Sequence, residues 1–136
     1  KGRKNMDVQE ASINFSSVNV TLVTTAETLI ISAPRVAVPR RLVNAFVLAL
    51  AQLTTGTATT TVTPRIRRGT ALADPLVGEA TAVTLGAAAG STEQFLGFAS
   101  EEIEGRADVE YSLTLSQAAA TGNGTVLQAA ILVLLL

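Results

Sequence analysis

The sequence predicts an all-β fold, an antiparallel sandwich of about eight strands with a jelly-roll-like arrangement. Three observations carry that expectation. Short runs of β-branched and apolar residues recur along the whole chain, separated by Gly, Pro, Asn and Asp turn chemistry. No stretch combines a 3.6-residue apolar period with the caps of an amphipathic helix. Residues 108–117, DVEYSLTLSQ, alternate cleanly: Val109, Tyr111, Leu113 and Leu115 face inward, while Asp108, Glu110, Ser112, Thr114 and Ser116 face outward.

Along the chain, KGRKNMDVQE (residues 1–10) is polar and basic and reads as an extended arm preceding a single domain over residues 11–136. It has no apolar h-region, so no signal peptide is expected within it. Residues 11–23 form the first strand, and their apolar phase slips between Phe15 and Val18. A β-bulge between Ile13/Phe15 and Val18/Val20/Leu22 produces such a slip. ETLIISA (27–33) is a second strand halted by Pro34, and PRVAVPR an extended connection. RLVNAFVLALA (41–51) is apolar on both faces, with Leu42, Phe46, Leu48 and Leu50 on one and Val43, Ala45, Val47 and Ala49 on the other. Its β-branched content and missing N-cap favour a buried strand over a helix.

TATTTVTPRIRRG (57–69) alternates as a strand, with Pro64 expected at an edge or a bulge. A turn at Asp74-Pro75 leads to a strand near 77–85, and TEQFLGFAS (92–100) follows. EEIEGRA (101–107) reads as a charged loop, and Gly-Asn-Gly at 122–124 turns the chain into its last strand. That strand, TVLQAAILVLLL, stops alternating after Gln128, so both of its faces call for burial. Leu127, Ala129, Ala130, Ile131, Leu132, Val133, Leu134 and Leu136 are therefore the expected subunit-interface residues. The run is far shorter than the ~20 residues of a membrane-spanning helix.

Composition narrows the function. Of 136 residues, 48% are hydrophobic but only 15% are charged, against about a quarter in typical domains. With so few charges to cover a surface, burial against further protein is expected. A net charge of −1 argues against nucleic acid or an anionic membrane as partner. The chain has no His and no Cys, which removes the usual general base, the thiolate nucleophile and the commonest transition-metal ligands. No P-loop, G-x-G-x-x-G or G-x-S-x-G motif occurs. No enzymatic activity, catalytic residue, metal or cofactor is therefore expected.

Two charged clusters remain as candidates. Arg65, Arg67 and Arg68 form the densest basic group, Arg65 and Arg67 on one strand face and Arg68 on the other. They suit contact with acidic protein, such as Glu101, Glu102 and Glu104 of a neighbouring subunit; the bland alternative is a solvated strand end that blocks aggregation. Glu101, Glu102, Glu104, Asp108 and Glu110 form an acidic patch that a Ca²⁺ ion would suit, but their spacing fits no EF-hand and a solvated loop is the simpler reading. Phe15, Phe46, Phe95, Phe98 and Tyr111 are too sparse for a stacking platform and read as core.

TAETLIISAP, TPRIRRGT and YSLTLSQAAATGNGTVLQAAILVLLL together resemble small all-β structural proteins of tailed-bacteriophage particles, the decoration (cement) and head-fibre proteins. The resemblance lies in Thr- and Ala-rich strands, an Arg-rich strand, and a turn before a hydrophobic last strand. It implies a homotrimer on the virion that binds the major capsid protein and reinforces the shell. Lys1, Arg3 and Lys4 of the arm, with Arg65, Arg67 and Arg68, would be its contacts. A receptor- or carbohydrate-binding fibre module and the coat subunit of a small virus are the alternatives. The first lacks a visible sugar-binding element, and the second normally carries a long basic arm.

Overall fold

The computed structural model describes residues 10–22, 24–54, 60–85, 92–105, 107–118 and 124–136. These form eleven strands: β1 (Glu10–Thr21), β2 (Thr28–Ser32), β3 (Val36–Ala37), β4 (Val43–Thr54), β5 (Thr60–Arg68), β6 (Leu76–Glu79), β7 (Val83–Leu85), β8 (Thr92–Ile103), β9 (Asp108–Val109), β10 (Tyr111–Gln117) and β11 (Thr125–Leu135). One sheet runs β1-β11-β4-β8; the other runs β2-β10-β5-β6, with β7 also on β5; β3 and β9 make a two-residue pair. Every pairing is antiparallel. Successive long strands change sheet at almost every connection, as in a double-sheet jelly roll.

The eight expected strands are recovered as eleven for two local reasons. The connection at 34–40 carries β3, which with β9 adds a miniature sheet. The expected strand near 77–85 is split into β6 and β7, and Pro64 marks the split. Its carbonyl accepts from Ala80 N at 3.0 Å, so the missing N–H points at the same neighbour, in the gap between the two short strands. A proline cannot donate there. Pro64 thus sits inside β5, a strand paired on both sides, rather than at an outer edge.

The core lies between the sheets. β4 contributes Val43, Ala45, Val47, Ala49, Ala51 and Leu53; β11 contributes Val126, Ala129, Ile131, Val133 and Leu135; β10 supplies Tyr111, Leu113 and Leu115, all buried. Small alanines on β4 and β11 let the sheets approach closely. So does Gly78 of β6, where an added Cβ would lie 2.6 Å from the Ala99 Cβ on β8. The turn from β5 to β6 depends on Gly69 at φ 126, a conformation nearly restricted to glycine. Asp74 Oδ2 accepts from Ala71 N at 2.9 Å to close that turn.

The bulge expected in β1 is present, with the register shifting between Ser17 and Val20 and Asn19 at φ 47. Residues 101–103, expected to begin a charged loop, instead complete β8. Their charge is accommodated because Glu101 has partners inside the chain.

Candidate assembly surface

The two outer faces of the sandwich differ in kind. On the β2-β10-β5-β6 sheet the outward residues are mainly charged and hydroxylic, with Leu29 and Leu76 exposed among them, and the polar groups satisfy one another. Glu27, from the turn before β2, takes two hydrogen bonds from Arg67, Nε to Oε2 at 2.6 Å and Nη2 to Oε1 at 2.8 Å. Thr114 Oγ1 donates to the same carboxylate. Arg67 Nη1 donates to the Asp74 carbonyl at 2.9 Å. Arg65 donates to Glu79 and to Ser116 Oγ, each at 2.8 Å. Ser112 and Thr114 do point outward as expected, yet they are 0% and 1% exposed, Thr114 beneath this network and Ser112 donating to the Gly69 carbonyl at 2.6 Å. The Arg67 hydrogen bonds hold the Glu27 carboxyl below its ordinary pKa, against the opposing effect of burial, with Thr114 and the Arg65 charge assisting.

Arg68 faces the other way, toward the first sheet. Its Nε donates to Glu101 Oε2 at 3.0 Å, and the Tyr111 hydroxyl donates to that same oxygen at 2.7 Å. This ties β5, β8 and β10 across the sandwich. The carboxylate expected from a neighbouring subunit is thus met within the chain for Arg68. All three arginines have carboxylate partners of their own and are only 14–25% exposed. The acidic patch is dispersed: Glu110 pairs with Arg35 at 3.4 Å, and Glu102 and Asp108 lie exposed. Lys1, Arg3 and Lys4 lie outside the described residues.

The outer face of the β1-β11-β4-β8 sheet is the opposite case. Its register aligns residues into rows that cross all four strands. One row is Ala11, Leu134, Phe46 and Ser100; the next is Ile13, Leu132, Leu48 and Phe98; the third is Phe15, Ala130, Leu50 and Leu96. Ile13, Phe15, Leu96 and Phe98 are 56–65% exposed. Phe46 and Phe98 stack at 5.9 Å between centroids, the diagonal contact of adjacent antiparallel strands. The apolar belt ends in a row of Ser17, Gln128, Gln52 and Gln94, and beyond it stand Thr21, Thr125, Thr54 and Thr92. Leu50, Leu96 and the three glutamines border a hollow of about 410 Å³.

β1 reverses the usual pattern, with polar residues turned inward. Ser12 Oγ donates to the Pro34 carbonyl at 2.6 Å and Asn14 Nδ2 to the Ser32 carbonyl at 2.9 Å. These bonds satisfy the inner side and turn Ile13 and Phe15 to the outside. Phe15 is therefore a surface residue, and the register of β4 and β8 places Phe46 and Phe98 on the same outer face. All three were expected in the core, where of the five aromatics Phe95 and Tyr111 are buried.

Of the expected interface residues, Ala130, Leu132, Leu134 and Leu136 lie partly exposed on this outer face. Ala129, Ile131 and Val133 are 0–1% exposed and belong to the core. Leu127 is the extra residue of a bulge between Val126 and Gln128. That bulge shifts Val126 to the inner face with Ala129, where unbroken alternation had put Leu127. The face also recruits β1, β4 and β8, which were not singled out for this role. The signal present in the sequence was the two-sided apolar character of residues 41–51.

No protein-family model and no curated protein sequence matches the chain. Among solved structures, it is similar to a subunit of Bacillus endospore appendages, described as a novel family of disulfide-linked pili, at 13% identity and TM-score 0.44, over 97% of this chain and 94% of that one. It is also similar to a CBM4 carbohydrate-binding module at 11% identity and TM-score 0.42, over 92% and 72%. A capsid protein of infectious bursal disease virus, Gx strain, aligns at 9% identity and TM-score 0.40, over 94% and 41%. These similarities are of β-sandwich outline and carry no functional weight.

Proposed function

We propose that the chain is a non-enzymatic virion structural protein: a capsid decoration or cement protein that binds the major capsid protein on the virion surface as a homotrimer. The observation that carries this reading is the division of labour between the two sheet faces. Charges are scarce, and on one sheet they are paired with each other, leaving a whole four-stranded face of the other without a charge across its three apolar rows. Such a face is a poor solvent boundary and a good protein interface.

With strands ~4.8 Å apart and rows ~6.8 Å apart, the belt measures roughly 19 by 20 Å, or about 400 Å². At ~25 cal/mol per Å², its burial contributes about 10 kcal/mol gross, enough to offset much of the ~4–15 kcal/mol cost of association. Repetition over a lattice then adds avidity. The arm, residues 1–10, is the proposed contact with the capsid protein, since Arg65, Arg67 and Arg68 are engaged by carboxylates of their own chain.

The test is co-sedimentation of the purified protein with empty capsids of its virus. Saturable binding that raises the shell's melting temperature is expected, and deletion of residues 1–9 should weaken it. Failure to bind shells at micromolar concentration overturns the decoration role. One observation favours a second reading, a receptor- or carbohydrate-binding fibre module: Gln52, Gln94 and Gln128 line the hollow beside Leu50 and Leu96, and amides suit sugar hydroxyls. Specific signals on a glycan array would reverse the ranking.

A further inference from the structure

The geometry points to head-to-tail association of this chain through its first sheet, in which β1 of one copy lies beside β8 of the next while the apolar faces turn inward toward a shared axis. This rests on the homo-oligomer reading above and supplies its interface.

The edges provide an observation independent of the face. Sandwiches ordinarily protect their edge strands with shortness, proline, β-bulges or charged residues, lysine above all. The second sheet follows that rule, with β2 only five residues long and β6 and β7 separate short pieces. The first sheet departs from it over most of its length, apart from the bulge at Ser17–Val20 of β1 and the acidic Glu101 and Glu102 near the end of β8. β1 and β8 are each twelve residues long and contain no Pro, Lys or Arg. Among the described residues neither pairs with a further strand.

Strand parity makes the two edges complementary. Three antiparallel steps separate β1 from β8, so they run in opposite directions. Rotation about an axis along the strands keeps those directions, and β1 of one copy meets β8 of its neighbour antiparallel. Rotation also adds no translation, so residues of one row meet at one height, Ile13 opposite Phe98.

The face supports the same occupant. At one end of the apolar belt its polar rows are Ser, Thr and Gln, groups that both donate and accept and are therefore self-complementary; at the other end the Asn44 row carries one charge, the exposed Glu102 of β8. Counting six rows from Asn44 to Thr54, the face covers roughly 19 by 41 Å, about 800 Å², the per-partner area of a standard specific interface.

The experiment uses the absence of cysteine from the chain. Ile13→Cys and Phe98→Cys are introduced together, at exposed positions where neither change opens the core. Within one copy they stand about three strand spacings, ~14 Å, apart, beyond the ~7 Å limit of a disulfide. Mild oxidation should therefore link copies, giving a closed covalent trimer on non-reducing gels, with neither single variant linking beyond background. Unmodified protein should elute at three times the chain mass. A monomer, or a double variant that stays unlinked in an oligomer of verified mass, overturns the proposal. So does a single variant that links to a dimer as readily as the double, since that contact would be two-fold. Linked trimers that ignore capsids would overturn the decoration role and leave this interface standing.

Discussion

Glu27→Ala should be among the most destabilising single changes outside the apolar core. Glu27 and Arg67 are only 16% and 14% exposed in their side chains. The carboxylate accepts twice from Arg67 and once from Thr114, and Thr114 is itself buried. Removing Glu27 leaves a largely buried guanidinium with only the Asp74 carbonyl and a distant charge, and a hydroxyl without its acceptor. Breaking a buried pair costs about 3–5 kcal/mol; the residual exposure and the surviving Asp74 contact reduce this, so about 3 kcal/mol is expected. Urea unfolding followed by circular dichroism at fixed protein concentration reads the loss, with an unchanged m-value showing that stability alone has moved. Fixed concentration matters because self-association would otherwise shift the midpoint. A companion variant, Glu27→Leu with Arg67→Met, removes both charges and should recover most of the loss. A loss under ~1 kcal/mol for Glu27→Ala would refute the reasoning, since the pair would then behave as an ordinary screened surface contact.

The same pair predicts an acid limb. Because Arg67 holds the Glu27 pKa below its unfolded value, the pair's contribution is complete above the unfolded carboxyl pKa of ~4.3 and is lost as pH falls through the folded one. Melting temperatures between pH 6 and pH 3 should fall more steeply for the native chain than for Glu27→Gln, and parallel curves would contradict this. Leu132→Asp with Leu134→Asp places charges on the apolar belt while leaving the core intact. It should reduce the oligomer to a folded monomer by light scattering; survival of the oligomer would mean that this face is not the contact. Gly69→Ala forces a side chain into φ 126 and onto the Asp74 carboxylate; a loss of about 1–3 kcal/mol is expected, and thermal melts that coincide with those of the native chain would count against the turn assignment. Tyr111→Phe removes the donor to Glu101 and should cost about 1–2 kcal/mol in urea unfolding; no change would show that the tie between sheets is idle.

The fold was largely legible because β structure writes itself in short range. Alternation over residues 108–117, the phase slip near Phe15 and the turn at Asp74-Pro75 are local patterns, and each has its counterpart in the molecule. The assembly face was legible only in fragments. Residues 41–51 and the last strand announce two apolar sides, but periodicity does not tell which side meets the core. A further obstacle was β1, whose inward Ser12 and Asn14 bond to backbone carbonyls near β2. That contact joins residues about 20 apart, and it decides that Ile13 and Phe15 face out.

By itself, then, the amino-acid order determined an all-β chain with too few charges for its surface, no imidazole or thiol for chemistry, and a terminal strand unsuited to solvent on either face. Tertiary structure decided which apolar residues are spare. The bulge at Leu127 moves Val126 inward, and the register across β1, β11, β4 and β8 assembles Ile13, Leu132, Leu48 and Phe98 into one row. It also turned Arg65, Arg67 and Arg68 from apparent free contacts into internally paired groups. The physical reason is the range of the interactions: alternation and turn chemistry act over a few residues, whereas register and ion pairing join positions 14 to more than 100 apart, which only the closed sandwich brings together.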